Sequence, residues 1–152
     1  MFEAEKTVKT LKLKEFLPYR LSVLSNRISR SITERYEEKF KLSSAEWRTV
    51  AILGEESELS AAEVAERSAM DKVAISRAVN NLISNDRLVR HFSEDDKRRS
   101  VLALSKNGRK LYEQIVPLAL SYEAAVLDEL NSEEQTFLDS ILSKLSDIQS
   151  RQ

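Results

Sequence analysis

The stretch from Asp71 to Asn85, DKVAISRAVNNLISN, carries side chains whose chemistry suits the edges of DNA bases. Ile75, Val79, Leu82 and Ile83 recur at the spacing of one helical face. At about 100° per residue, Val73, Ala74, Arg77, Asn80 and Asn81 fall on the opposite face, with Ser76 on its flank. A forked guanidinium pairs with guanine, a carboxamide with adenine, and a small apolar group packs on the thymine methyl. Asp71 stands where an N-cap belongs, its carboxylate at the positive end of the helix dipole. An ordinary amphipathic helix has the same period, so the flanking sequence must decide between the two readings.

The elements that would position that face lie on both sides of it. Ser60-Ala61-Ala62-Glu63 is a capping box that opens a short helix with Val64 and Ala65 inward, stopping near Ser68. Ser68-Ala69-Met70 then leads into the next helix, which makes a helix-turn-helix without the common turn glycine. After Asn85 and Asp86 the period changes to that of strands, Leu88–Phe92 and Val101–Leu104. Between them SEDDKRRS is too polar for a core and too short for a helix. The result is a two-stranded ribbon with a charged tip, which must lean on the helices because a lone hairpin is marginal in water. A helix-turn-helix followed by such a ribbon is a winged helix.

Further elements frame this lobe. Residues 1–15 are polar and Lys-rich and read as an arm or a frayed helical entry. From Pro18 to about Phe40 a long helix carries Leu17, Leu21, Leu24, Ile28 and Ile32 as its stripe, with Arg20, Arg27 and Ser31 along one edge. Ser43-Ser44-Ala45-Glu46 is another capping box, opening a helix with Trp47, Val50, Ala51 and Leu53 inward that ends near Gly54. Trp47 is a core aromatic or a ring on which a ligand stacks. After the ribbon, Ser105-Lys106-Asn107-Gly108 starts a helix through Leu111, Ile115, Leu118, Tyr122 and Val126 to Leu130, with a bend expected at Pro117. A third box, Ser132-Glu133-Glu134-Gln135, opens a last helix with Phe137, Leu138, Ile141, Leu142, Leu145 and Ile148 apolar. The terminal stripes exceed what a winged helix can cover, so a twofold twin is expected to cover them.

The expected fold is therefore mostly α with a small β-wing. Residues 1–40 hold the arm and a first, dimerising helix; 41–105 the winged helix-turn-helix; 106–152 the C-terminal dimerisation helices. Charge agrees with this division. The chain's net charge is −1, yet Asp71 to Lys110 holds ten Lys/Arg against five Asp/Glu, a balance of +5. The remainder carries 14 basic and 20 acidic residues, a balance of −6. A local cationic segment matters more to polyanion binding than the overall charge. The helix-turn-helix and the ribbon both fall near or within it, and that coincidence favours a nucleic-acid partner.

Composition excludes several other classes. Only two Gly and two Pro occur, so regular structure runs long. No run of about 18 apolar residues and no signal-peptide pattern is present, so a cytoplasmic location without membrane contact is expected. Zero cysteines remove disulfides and thiol chemistry. The single His91 lacks a second His or a Cys for a metal site. It reads as a strand residue at the wing base, with ligand or pH sensing as the alternative. No phosphate loop or nucleophile motif exists, and the carboxylates fall in capping boxes and solvated faces. An enzyme is therefore not expected, nor a cofactor or metal.

The sequence resembles the MarR family of winged-helix transcription regulators from about Leu17 to Leu145. The matching stretches are LSSAEWRTVAIL, LSAAEVAERSAMDKVAISRAVNNLISNDRLVR and DDKRRSVLALSKNGRKL, of which Asp96-x-Arg98 followed by Leu102-x-Leu104-Ser105 is the most specific. The resemblance implies that Arg98 enters a minor groove while Asp96 helps to hold the wing; a narrow, electronegative groove attracts such a cation. It also implies a homodimer built from the terminal helices. A further implication is an effector pocket between the first helix, the Trp47 helix and the DNA-binding lobe, commonly for aromatic or phenolic acids.

The expected mechanism follows. A homodimer sets two Asp71–Asn85 helices into successive major grooves of double-stranded DNA, about 34–36 Å apart, on a pseudo-palindromic operator. Lys72, Val73, Ala74, Ser76 and Arg77 lie nearest the bases, with Asn81 on the same face; Lys97, Arg98 and Arg99 hold the wing on the adjacent minor groove and phosphates. Arg20 is the candidate partner of an effector carboxylate, with Trp47 as an apolar wall. Repression released by the effector is the expected mode. The rival reading is a winged helix that binds protein, for which the cationic wing would be incidental.

Overall fold

A computed structural model of the chain describes residues 9–151; the first eight residues of the expected arm lie outside the described residues. The chain divides into two compact units, Met1–Ser44 and Ala45–Gln152. In the first, a 3-10 turn at Leu13–Glu15 precedes α1 (Leu17–Phe40). Pro18 sits in the first turn of α1, where its missing N–H costs no hydrogen bond. Lys41 ends the helix in the left-handed conformation, its N–H bonded to the Glu37 carbonyl at 3.1 Å. Leu17, Leu21 and Leu24 remain exposed along the predicted stripe.

The second unit contains α2 (Ser44–Glu55, beginning one residue earlier), α3 (Ala61–Ser68), α4 (Lys72–Ser84), β1 (Leu88–Phe92), β2 (Ser100–Leu104), α5 (Lys106–Leu127) and α6 (Ser132–Gln149). Its core gathers the inward faces of these elements: Val50 and Leu53 from α2, Val64 from α3, Ile75, Val79 and Leu82 from α4. Leu88, Val101 and Leu102 join them from the ribbon, and Leu111 and Ile115 from α5. The expected α3–turn–α4 arrangement is present, and Ala69 takes the left-handed turn position (φ 52°) that glycine usually fills. Trp47 and Ala51 are half-buried rather than central.

The two strands pair antiparallel with Leu88 opposite Leu104 and Phe92 opposite Ser100. A further contact extends this ribbon. Leu59, just before α3, bridges Leu102 through a 2.8 Å bond from the Leu102 N–H, and the Glu58 N–H reaches the Leu102 carbonyl at 3.0 Å. Ser93, part of the segment read from sequence as too polar for a core, is instead buried, its N–H bonded to the Arg99 carbonyl at 2.8 Å.

Two helix ends differ from their sequence reading. The cap of α6 is Asn131, one residue before the expected Ser132: its side chain accepts from the Glu134 N–H, and the Glu134 carboxylate accepts from the Asn131 N–H. Asn is as good an N-cap as Ser, and this register frees Gln135 for other work. Its amide donates to the Leu127 and Leu130 carbonyls at 2.9 and 3.0 Å. Those bonds close the end of α5, which stops at Leu127 rather than Leu130.

The other end of α5 is fastened to the root of the ribbon. Ser105 caps it through the Gly108 N–H and donates its hydroxyl to the Asp86 carbonyl at 2.6 Å. Asn107 donates to the Asp86 carboxylate at 2.7 Å. Gly108 is required by this closeness, because a Cβ there would overlap the Arg87 carbonyl oxygen. Gly108→Ala should therefore destabilise by about 1–3 kcal/mol, the usual cost of overpacking, read as a lowered urea midpoint.

The predicted box at the start of α3 is complete: Ser60 accepts from the Glu63 N–H, and the Glu63 carboxylate accepts from the Ser60 N–H at 2.7 Å. These Ser60 bonds, then the Arg99 guanidinium, pull the Glu63 carboxyl down from 4.5 to about 2. A carboxyl depressed on folding contributes stability that is complete above its unfolded value and fades as pH falls toward the folded one. Urea midpoints should thus drop between about pH 5 and about pH 2, and Glu63→Gln should remove part of that slope.

Candidate nucleic-acid interface

One side of α4 is committed to the core. Ile75, Ala78, Val79 and Leu82 are all at most 3% exposed. The other side faces outward: Lys72, Val73, Ser76, Arg77, Asn80 and Asn81 are exposed, and Ala74 is half-buried at the margin. Val73 is 57% exposed, a large value for an apolar side chain on a packed helix. Asp71 fixes where the helix begins, its carboxylate accepting from the Val73 and Ala74 N–H groups at 2.8 and 3.1 Å. The first turn of α4 thus presents a cation, an apolar side chain and, one turn on, a guanidinium, all projecting from a rigid end. At the far end, Asn85 folds its amide back on the Asn81 carbonyl at 2.8 Å.

Arg48, which sequence reasoning did not single out, supports the turn from behind. Its guanidinium donates to the Ser68 carbonyl at 3.2 Å and lies 5.7 Å from the centre of the Trp47 ring. The main chain at the end of α3 is thereby tied to α2, and one face of Trp47 is occupied by a cation. Arg67 of α3 pairs with Glu56 at the end of α2.

The wing tip is a closed loop. Asp96 accepts the Arg98 N–H on its carboxylate at 3.0 Å, and its carbonyl accepts the Arg99 N–H at 2.9 Å. The three wing cations do not share one environment. Arg99 reaches back to the Glu63 carboxylate at the start of α3, whereas Lys97 and Arg98 form no ion pair with another described residue. Lys72 and Arg77 likewise form none. On β1, His91 Nε2 lies 2.9 Å from Glu58 Oε1. That contact gives the strand histidine a structural partner 33 residues away. Among the described residues no group of three or more His, Cys, Asp or Glu could hold a metal ion, and no helix is long and apolar enough to cross a membrane.

Arg20 and Trp47 belong to different units. Arg20 lines a groove of about 520 Å³ built wholly from the first unit, with Lys14, Tyr19 and Arg27 beside Leu17, Leu21 and Leu24.

Comparison with known proteins bears on the fold and the family. A sequence profile of the MarR family matches residues 40–99. The HTH-type transcriptional regulator BilQ of Clostridium symbiosum is 30% identical over 96 residues, covering 63% of this chain and 67% of that protein. Among solved structures, a MarR/EmrR family transcriptional regulator from Acinetobacter sp. ADP1 superposes with a TM-score of 0.84 at 25% identity, over 93% of this chain and 100% of that one. BpsR of Bordetella bronchiseptica, whose DNA binding is regulated by 6-hydroxynicotinic acid, superposes with a TM-score of 0.77 at 22% identity, over 91% and 99% of the two chains. With its helix-turn-helix and wing, the chain belongs to the MarR family of DNA-binding transcriptional regulators.

Proposed function

We propose that the protein is a cytoplasmic, sequence-specific repressor whose homodimer binds a pseudo-palindromic operator and releases it when a small aromatic acid binds. The observation that carries this reading is the outward face of α4, held by a buried opposite face and lying beside a wing with two unneutralised cations. Entering the major groove by its N-terminal end, α4 offers Lys72, Val73, Ala74, Ser76 and Arg77 to the bases first, with Asn81 further along. Lys97 and Arg98 suit the adjacent minor groove and its phosphates. Arg99 stands on the same wing, with its guanidinium engaged by Glu63.

The exposed apolar rows support the homodimer. Leu17, Leu21 and Leu24 on α1, and Phe137, Ile141, Leu142 and Ile148 on α6, are apolar side chains at helical spacing that water solvates poorly. An isologous twin would cover such rows with the same rows of its own.

Two observations support an effector of the aromatic-acid class. The groove beside Arg20 combines cations with leucines, and its volume falls in the ordinary range for small-molecule sites. BpsR, a protein of the same fold, answers to an aromatic acid. A ligand releases DNA only if it prefers a dimer whose two reading helices are wrongly spaced or fixed.

Selection of duplexes from random sequence with the full chain tests the reading directly, because the enriched site must show twofold symmetry. On the selected duplex, Arg77→Ala should cost about 1–3 kcal/mol and relax the preference at one position per half-site. Equal weakening on selected and random DNA would instead mark Arg77 as a phosphate contact. For the effector, Arg20→Ala should raise the concentration of aromatic acid needed to release DNA; an unchanged release curve removes Arg20 from the site.

A further inference from the structure

We propose that Arg99 is a positioning residue: its ion pair with Glu63 ties the wing tip to the first turn of α3 and so fixes where Arg98 stands relative to α4. The inference rests on the DNA-reading role given above and assigns Arg99 a different task from its neighbours on the wing.

The geometry is a chain of short links. Glu63 Oε2 accepts both the Ser60 N–H, within the cap of α3, and an Arg99 N–H. Arg99 is also where the wing loop closes on itself. Its N–H goes to the Asp96 carbonyl at 2.9 Å, and its own carbonyl takes the Ser93 N–H at 2.8 Å. Asp96 in turn holds the Arg98 N–H at 3.0 Å. One carboxylate oxygen therefore connects the helix-turn-helix to the backbone that carries Arg98.

Energy alone does not account for the pair. The Arg99 and Glu63 side chains are 43% and 39% exposed, and ion pairs in such surroundings add little to stability. What the pair supplies is distance. A guanidinium N–H held on a carboxylate oxygen has a defined direction, and arginine loses less freedom than lysine in forming it. The capping box already immobilises Glu63, so Arg99 docks on a fixed post rather than a mobile side chain. The wing tip would otherwise be a polar loop joined to the lobe only through its two strands.

A phosphate contact by Arg99 predicts the opposite behaviour, because DNA would then compete with Glu63 for the same guanidinium. The test measures affinity against salt for the full-length wild-type, Glu63→Gln, Arg99→Gln and double-variant proteins. The probe is a duplex recovered from random sequence with the wild-type chain. Glutamine at position 63 preserves the cap, since Gln serves at that place in a capping box, and thermal melts establish that each variant folds. Expected is a loss of about tenfold in each single variant and no further loss in the double, the mark of two residues acting as one unit. The salt slope should stay at its wild-type value in all of them.

Three results would overturn the proposal. One is a salt slope lowered by about 0.9 in Arg99→Gln, the signature of a lost phosphate contact. Another is binding that is unchanged or tightened in Glu63→Gln, which remains decisive even if Arg99→Gln fails to fold. The third is additive loss in the double variant. Each of these leaves selection by the wild-type protein intact. A wild-type protein that enriches no sequence removes the reading role itself, and the positioning role with it.

Discussion

The orientation of α4 is fixed from behind. Ile75, Val79 and Leu82 are almost wholly buried, and burying each such side chain is worth about 1.5–3 kcal/mol. Turning the helix by one residue swings every side chain through about 100° and would bring that row toward water. The Asp71 carboxylate sets the other coordinate, since its bonds to the Val73 and Ala74 amides define the first turn. Rotation and starting point are thus both determined by groups other than the exposed side chains. Arg77, Ser76 and Val73 point outward as the consequence.

The wing is held by a different kind of bonding. Its strands bury Leu88, Val101 and Leu102, but beyond Ser93 the chain has no core to rest on. Hydrogen bonds replace packing there. At the root, Ser105 and Asn107 grip Asp86; at mid-ribbon, Leu59 adds backbone bonds to Leu102; near the tip, Arg99 meets Glu63. The segment before α3 and the first turn of α3 supply two of these three attachments. The wing is accordingly built against the same short region that begins the helix-turn-helix.

Legibility in the sequence followed the range of the interaction. Pro18 at the start of α1, the Ser60–Glu63 box, the Asp71 cap and the α4 stripe are local signals, each readable within a few residues. The outward set on α4 came from the same periodicity, as did Leu111 and Ile115, the buried part of the α5 stripe. What escaped was non-local or chemically degenerate. The Leu59 bridge consists of main-chain bonds that leave no mark on residue type. Arg99 looks like Lys97 and Arg98 in sequence, and only its meeting with a residue 36 positions away separates them. The displaced cap of α6 arose because Asn131 and Ser132 are equally suitable, and Gln135 broke the tie through contacts with the preceding helix. Trp47 read as core from its apolar spacing, yet it is half-buried with Arg48 across one face.

A last consequence concerns α5, whose two ends are anchored and whose middle is not uniform. Its N-terminal turn is locked to Asp86 and Arg87, and its final carbonyl, that of Leu127, accepts from Gln135. Between them lies Pro117, which has no N–H to offer the carbonyl four residues earlier. The ladder of α5 therefore lacks one rung at a known place, with Leu111 and Ile115 bedded in the core on one side of it and the limb leading to α6 on the other.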